Sequence, residues 1–148
     1  MSQLLVDVAM GILHRDGCFL MQLRDDFSHI VHPGCWAFFG GHIEPGEAIV
    51  PGLKRELQEE IGYVPQKLSL FKQNEDEHKR RHYYHGALSV PIEDLQLNEG
   101  QDFALCSPED IAKGEKYSTR LGEIRSLGKP HRQMLLDFIK SGLAVTSA

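Results

Sequence analysis

The chain has 148 residues, 41% hydrophobic and 25% charged, with a formal net charge of −5 at neutral pH. These figures suit one soluble globular domain spanning residues 1–148, and they argue against a broad basic surface for duplex nucleic acid while leaving small anionic ligands open. Cys18, Cys35 and Cys106 lie far apart with no paired spacing, which fits reduced thiols in the cytoplasm better than a disulfide framework or a zinc site.

The N-terminus, MSQLLVDVAMGIL, has no basic leader and carries Asp7 inside its apolar run. It reads as a first strand, and as neither a signal peptide nor a membrane span. LLVDVAMGIL and CFLMQLR flank Asp16-Gly17, a hairpin-turn signal, so they are expected to pair antiparallel. DDFSHIVHPG follows as a polar loop, CWAFF as a short aromatic strand running into Gly40-Gly41, and HIEPGE as a sharp turn. From about residue 49 to 61 the chain is expected to be helical, because Leu53, Leu57 and Ile61 recur every four residues, Gly62 suits a left-handed cap and Pro65 resists continuation. Pro51 is tolerable only in a first turn, and Gly52 beside it weakens nucleation. KLSLFKQ and RHYYHGALSVPI have strand composition, with NEDEHKR between them as a solvated connection in the first instance and a binding loop in the second. DFALCS reads as another strand, SPEDIAKG as a short helix capped by Ser107 with Pro108 at its first position, and KPHRQMLLDFIKSG as a terminal amphipathic helix. Strands and helices without a regular βαβ rhythm point to a mixed α/β architecture with helices on both faces of a sheet.

Glu56, Glu59 and Glu60 form a stripe beside the apolar face of the predicted helix, near its C-terminal end. Carboxylates three and four residues apart repel one another, and the helix dipole adds negative potential there. A solvated acidic face is the plain explanation. A divalent cation is the functional one: the Gly40-Gly41 and Pro45-Gly46 turns can bring backbone carbonyls to the helix, and Mg²⁺ takes carboxylate, carbonyl and water oxygens.

At these residues the sequence resembles the Nudix, or MutT-like, hydrolases. Gly41, Glu47, Arg55-Glu56-Leu57, Glu59-Glu60 and Gly62 match the family pattern position for position, and Tyr63 departs from it by being aromatic. The resemblance implies a Nudix-type α/β/α sandwich with a mixed central sheet. It implies divalent-metal-dependent hydrolysis of a nucleoside diphosphate linked to another group, with Mg²⁺ or Mn²⁺ held by Glu56, Glu59, Glu60 and the Gly41 carbonyl. Glu47 and Arg55 are expected to pair and hold the loop against the helix. Glu56, or failing that Glu59, is expected to take the proton of the attacking water.

Other positions are candidates for substrate contact. Arg24 suits a phosphate, against a surface salt bridge with Asp25 or Asp26. Trp36 and Phe38 share one strand face, and one of these aromatics is expected to stack on a base while the others pack in the core. In HKRRHYYH, either Arg81, Tyr83 and His85 face a cleft while His82 and Tyr84 face inward, or the register is reversed. Glu99 and Asp102 are alternatives for an additional acidic ligand. Many relatives have proline where this chain has Phe39, and the subfamily signatures of coenzyme A, ADP-ribose and diadenosine polyphosphate hydrolases have no counterpart here. A pyrophosphohydrolase of nucleoside triphosphates or modified deoxynucleoside triphosphates is therefore the leading expectation. The alternatives are a nucleotide-sugar or dinucleotide hydrolase, or a silent ligand-sensing Nudix module. The expected partner is a small nucleotide or nucleotide derivative, with no membrane and with homodimer formation left open.

Overall fold

The computed structural model describes residues 5–27, 29, 30 and 33–144; Leu4 and part of the expected loop after residue 24 lie outside the described residues. β1 (Val6–Arg15) and β2 (Cys18–Leu23) pair antiparallel through Asp16 and Gly17, whose φ angles of 52° and 78° make the two-residue turn that suits twisted strands. β3 (Trp36–Ala37) and β4 (Phe39–His42) are one aromatic stretch interrupted at Phe38. There follow α1 (Ile49–Ile61), β5 (Ser69–Glu75), β6 (Lys79–Ala87), a 3-10 turn (Ile92–Asp94), β7 (Asp102–Cys106), α2 (Pro108–Lys113), β8 (Glu115–Ser118), β9 (Glu123–Ser126) and α3 (Lys129–Ser141).

Seven strands make the main sheet, in the order β3-β2-β1-β6-β5, with β4 also on β1 and β7 also on β2. β1 lies parallel to β6 and antiparallel to β2 and β4, so the sheet is mixed. Side chains alternate along β1, which sends Ala9 and Leu13 to one face and Met10 and Ile12 to the other. The first face packs against Leu53, Leu57 and Ile61 of α1, the second against Met134, Leu135 and Phe138 of α3. Each large apolar side chain fully buried this way contributes roughly 1.5–3 kcal/mol. The result is the α/β/α sandwich expected from the sequence.

α1 starts without a side-chain cap at Ala48 and ends at Gly62, whose φ of 66° gives the left-handed cap. Gly52, a weak helix former, has a packing reason: a Cβ there would lie 2.6 Å from Ile43 Cδ1 and 2.9 Å from Glu47 Oε1. Its absence lets the 43–47 loop lie directly on the first turn.

Two segments differ from expectation. NEDEHKR is mostly strand, because β5 runs to Glu75 and β6 begins at Lys79. The Asp76 carboxylate closes the turn by accepting the amides of His78 at 2.8 Å and Lys79 at 2.9 Å, so the segment is largely exposed, as expected, but is folded as a hairpin. Residues 115–126, to which the sequence reading assigns no element, form the separate β8–β9 hairpin. Tyr117, Leu121 and Ile124 remain exposed there, so no alternation of buried and polar residues marks the strands. Among the described residues, no helix is long and apolar enough to cross a membrane.

Candidate active site

Beyond the N-terminus of α3, the sheet face that this helix covers is left open as a cleft of about 650 Å³. Val8 and Met10 of β1, Tyr83 of β6 and Phe38 make an apolar floor, bounded by Pro130 and His131 at the start of α3. Arg24, Glu56 and Glu99 line one side; Asn74, Lys79 and Arg81, on the β5–β6 hairpin, line the other. Phe38 sits where β3 gives way to β4, and side chains take over its backbone bonds. Its N–H donates to His131 Nδ1 at 3.3 Å, and its carbonyl accepts from Gln22 Nε2 at 3.1 Å.

The chain next makes a glycine turn. Gly40 has a φ of 144°, a conformation L side chains rarely adopt, and its N–H donates to the Glu60 carboxylate, 3.1 Å from Oε2. At Gly41 a Cβ would stand 2.7 Å from Glu56 Oε2, so the bare backbone is what allows that carboxylate to come so close. The 43–47 loop is fixed to α1 by a two-pronged ion pair: Arg55 Nε reaches Glu47 Oε2 at 2.9 Å and Nη2 reaches Oε1 at 3.0 Å. Glu47 also accepts the Glu44 amide at 3.0 Å. These bonds, those from Arg55 first, hold the Glu47 carboxyl at about 2 and raise the Arg55 guanidinium above its usual value. Arg55 Nη1 continues to Glu56 at 3.2 Å and Glu59 at 3.5 Å.

The stripe of three acids is not uniform. Glu60 is buried, Glu56 mostly so, and the Glu59 side chain is 60% exposed. Burial, reinforced by Glu99 and Glu56, pushes the Glu60 carboxyl up to about 9; burial also raises Glu56. Glu99 reaches this corner because the loop after the 3-10 turn binds the last turn of α1. Gln96 N–H donates to the Ile61 carbonyl at 3.0 Å, Asn98 N–H to that of Glu60 at 3.1 Å, and Asn98 Nδ2 to that of Glu59 at 2.8 Å.

Several sequence candidates are placed elsewhere. Trp36 is fully buried with its indole N–H on the Lys116 carbonyl at 3.1 Å, so it faces the core and not the cleft. Tyr84 lies on the opposite sheet face among the residues packed on α1, because a one-residue step along a strand reverses the face. Arg81 and Tyr83 share the cleft face, but His85, two residues on, is covered by Phe138 of α3. Asp102 is buried against the Ser118 hydroxyl at 2.7 Å and does not join Glu99. Arg24 lines the cleft, and its Nε is buried with no hydrogen-bond partner among the described residues. Asn74, Lys79 and His131 were missed. Lys79 belongs to the HKRRHYYH stretch and Asn74 to the NEDEHKR connection, neither of them singled out by residue, and nothing in the sequence marks His131.

The NUDIX domain family matches residues 4–125. The chain belongs to the Nudix family. It is 32% identical over 122 residues to the nucleoside triphosphatase NudI of Escherichia fergusonii, covering 72% of this chain and 84% of that protein. The solution structure of the E. coli ORF135 protein is similar with a TM-score of 0.63 at 27% identity, covering 97% of this chain and 94% of that one. The crystal structure of a MutT protein from Methanosarcina mazei Go1 superposes with a TM-score of 0.68 at 20% identity, covering 97% and 99%. This Nudix chain is accordingly a hydrolase of phosphoanhydride bonds.

Nudix hydrolases generally use divalent metals, and the donor chemistry of this corner fits one. Glu56, Glu60 and Glu99 offer carboxylate oxygens that repel one another, the first two short of solvent and Glu99 exposed, and the Gly41 backbone carries no side chain that would fill the space beside Glu56. Among the described residues, no three acidic, histidine or cysteine side chains stand close enough to form a ready metal cluster, and Arg55 balances part of the charge of Glu56 and Glu59.

Proposed function

We propose that this Nudix hydrolase is a nucleotide pyrophosphohydrolase acting on nucleoside triphosphates in the cytoplasm with Mg²⁺ or Mn²⁺. The observation that carries the reading is the pairing of an acidic corner, the desolvated Glu56 and Glu60 with the exposed Glu99 beside them, with an apolar-floored cleft bordered by Arg24, Lys79 and Arg81. The name of the E. fergusonii relative supports the triphosphate as substrate.

Glu56, Glu59, Glu60, Glu99 and the Gly41 carbonyl are the groups that would hold the metal. When bound, the metal neutralises phosphate oxygens and acidifies a water. Arg24, whose Nε lacks an acceptor, donates to a phosphate oxygen. Glu56, which lines the cleft, takes the proton of the attacking water at its carboxylate. Glu47 and Arg55 fix the loop that sets Gly41 against Glu56.

The test is product analysis by mass on nucleoside triphosphates, nucleotide sugars and dinucleotides, with Mg²⁺, Mn²⁺ or EDTA. Metal-dependent release of a nucleoside monophosphate, lost in Glu56→Gln, is the expected result. Tight nucleotide binding without turnover in any metal would make the chain a sensing module instead.

A further inference from the structure

Resting on the reading of the cleft as a nucleotide site, we propose that its β5–β6 wall, Asn74, Lys79 and Arg81, reads the nucleobase. It selects bases bearing a carbonyl at pyrimidine position 4 or purine position 6 over their amino counterparts.

The wall lies far from the acidic corner. Asn74, Arg81, Val8 and His42 pair in one row across β5, β6, β1 and β4. With strands about 4.8 Å apart, β6, which carries Lys79 and Arg81, is about 10 Å from β4, the strand that brings Gly41 to Glu56, and β5, which carries Asn74, is about 14 Å from it. Phosphates held at that corner therefore direct the nucleoside across the floor toward the wall. That floor suits the face of a planar ring: Phe38 and Tyr83 meet edge to face with centroids 6.1 Å apart, beside Met10 and Val8.

The polarity of the wall is one-sided. Arg81 and Lys79 can only donate hydrogen bonds. Asn74 could do either, but Arg81 Nη1 lies 3.4 Å from its amide oxygen, which assigns that oxygen to Arg81 and leaves the amide nitrogen as a donor. The nearby acceptor is already engaged: Asp76 takes Arg81 Nη2 at 2.8 Å together with the amides of His78 and Lys79. Asp76 also neutralises Arg81, whereas Lys79 makes no ion pair among the described residues. The wall thus presents donors and one uncompensated ammonium. A ring carbonyl satisfies it; an exocyclic amino group sets donor against donor and forgoes a hydrogen bond to a charged group. Phosphate is the other acceptor-rich group a lone ammonium attracts, but Arg24 and the metal-fitting carboxylates stand at the opposite end.

Two pairs exchange the carbonyl for an amino group, together with the proton on the neighbouring ring nitrogen: UTP against CTP, and ITP against ATP. The expected result is kcat/KM higher for UTP and ITP by about tenfold or more, the scale of a hydrogen bond to a charged donor. UMP should likewise bind more tightly than CMP by calorimetry. Lys79→Met and Asn74→Asp, both at accessible positions, should bring each ratio toward one, with the new acceptor in Asn74→Asp helping the amino bases. Equal kcat/KM within each pair would overturn the proposal while leaving the hydrolase reading intact. So would an equal loss on all four substrates in Lys79→Met, which would mark that residue as a phosphate contact. If none of the four is hydrolysed and neither monophosphate binds, the nucleotide reading itself fails and takes the base selection with it.

Discussion

Gly41→Ala is the sharpest test of the glycine turn. The added Cβ would lie 2.7 Å from Glu56 Oε2, whereas ordinary contact begins at 3.4 Å, so the carboxylate must retreat by at least about 0.7 Å. The atoms that move are the end of a flexible side chain, so folding stability should fall by less than about 1 kcal/mol, the range of substitutions that need only local adjustment. Catalysis is less forgiving. A displacement near 1 Å of a reacting group can cost about a hundredfold, so kcat should fall by about tenfold to a hundredfold. The Gly41 carbonyl is retained in the variant, which confines the effect to Glu56. Triphosphate hydrolysis at saturating Mg²⁺, beside a thermal melt, measures both quantities. Gly11→Ala is the control, since its Cβ would meet Leu13 and Leu57 at 3.5 and 3.7 Å, ordinary contacts, and it should keep its activity. A folded Gly41→Ala protein with undiminished kcat would show that the position of Glu56 is not what the glycine protects.

Arg55→Lys keeps the charge but cannot reproduce the two-pronged grip on Glu47; kcat should drop more than KM rises, and hydrogen exchange should report faster opening of the 43–47 loop. A pure KM effect with unchanged exchange would make Arg55 a substrate contact. Tyr84→Ala should destabilise the protein by about 2 kcal/mol, below the figure for fully buried aromatics, and leave the order of preferred nucleotides unchanged. A reordered substrate panel would put Tyr84 in the site after all. His14 and His85 are held below the ordinary value of 6.5, chiefly by burial. The unfolded chain therefore binds more protons than the folded one as pH falls, so their contribution is complete above about 6.5 and is lost below it. Glu60, whose carboxyl is raised to about 9, works in the opposite direction, so the histidine contribution is read as a difference: on acidification from pH 7 the melting temperature of the parent should fall relative to that of His85→Gln, and parallel slopes would refute this.

Much of the framework could be read from the residues because local rules and tertiary demands coincide. Leu53, Leu57 and Ile61 mark the buried stripe of α1, Gly62 its end, and Asp16-Gly17 the first hairpin. Other features depend on partners remote in sequence. The parallel pairing of β1 with β6 leaves no local signal, and it decides that Tyr83 faces the cleft while Tyr84 faces α1. The spacing of Glu56, Glu59 and Glu60 suggested one shared face, but their unequal burial depends on β4 and on the 96–99 loop. Asn74 and Lys79 could not be placed on one cleft wall in advance, because that depends on Asp76 closing the hairpin between β5 and β6.

The binding of the 96–98 backbone to the exposed carbonyls at the end of α1 also bears on how this chain can change. Three contacts, from Gln96, Asn98 and the Asn98 side chain, make the segment a splint on the helix. Glu99 and Glu60 are thereby yoked, so that displacing one carries the other. An insertion between residues 96 and 99 would slip the splint and dislocate an acidic group from across the cleft. Added length around the exposed Glu93 would fall between Val90, whose carbonyl accepts from Arg15, and the anchored Gln96. Variation in loop length is thus steered to one side of Gln96 by two backbone bonds that need no particular side chain and by one that needs the Asn98 amide.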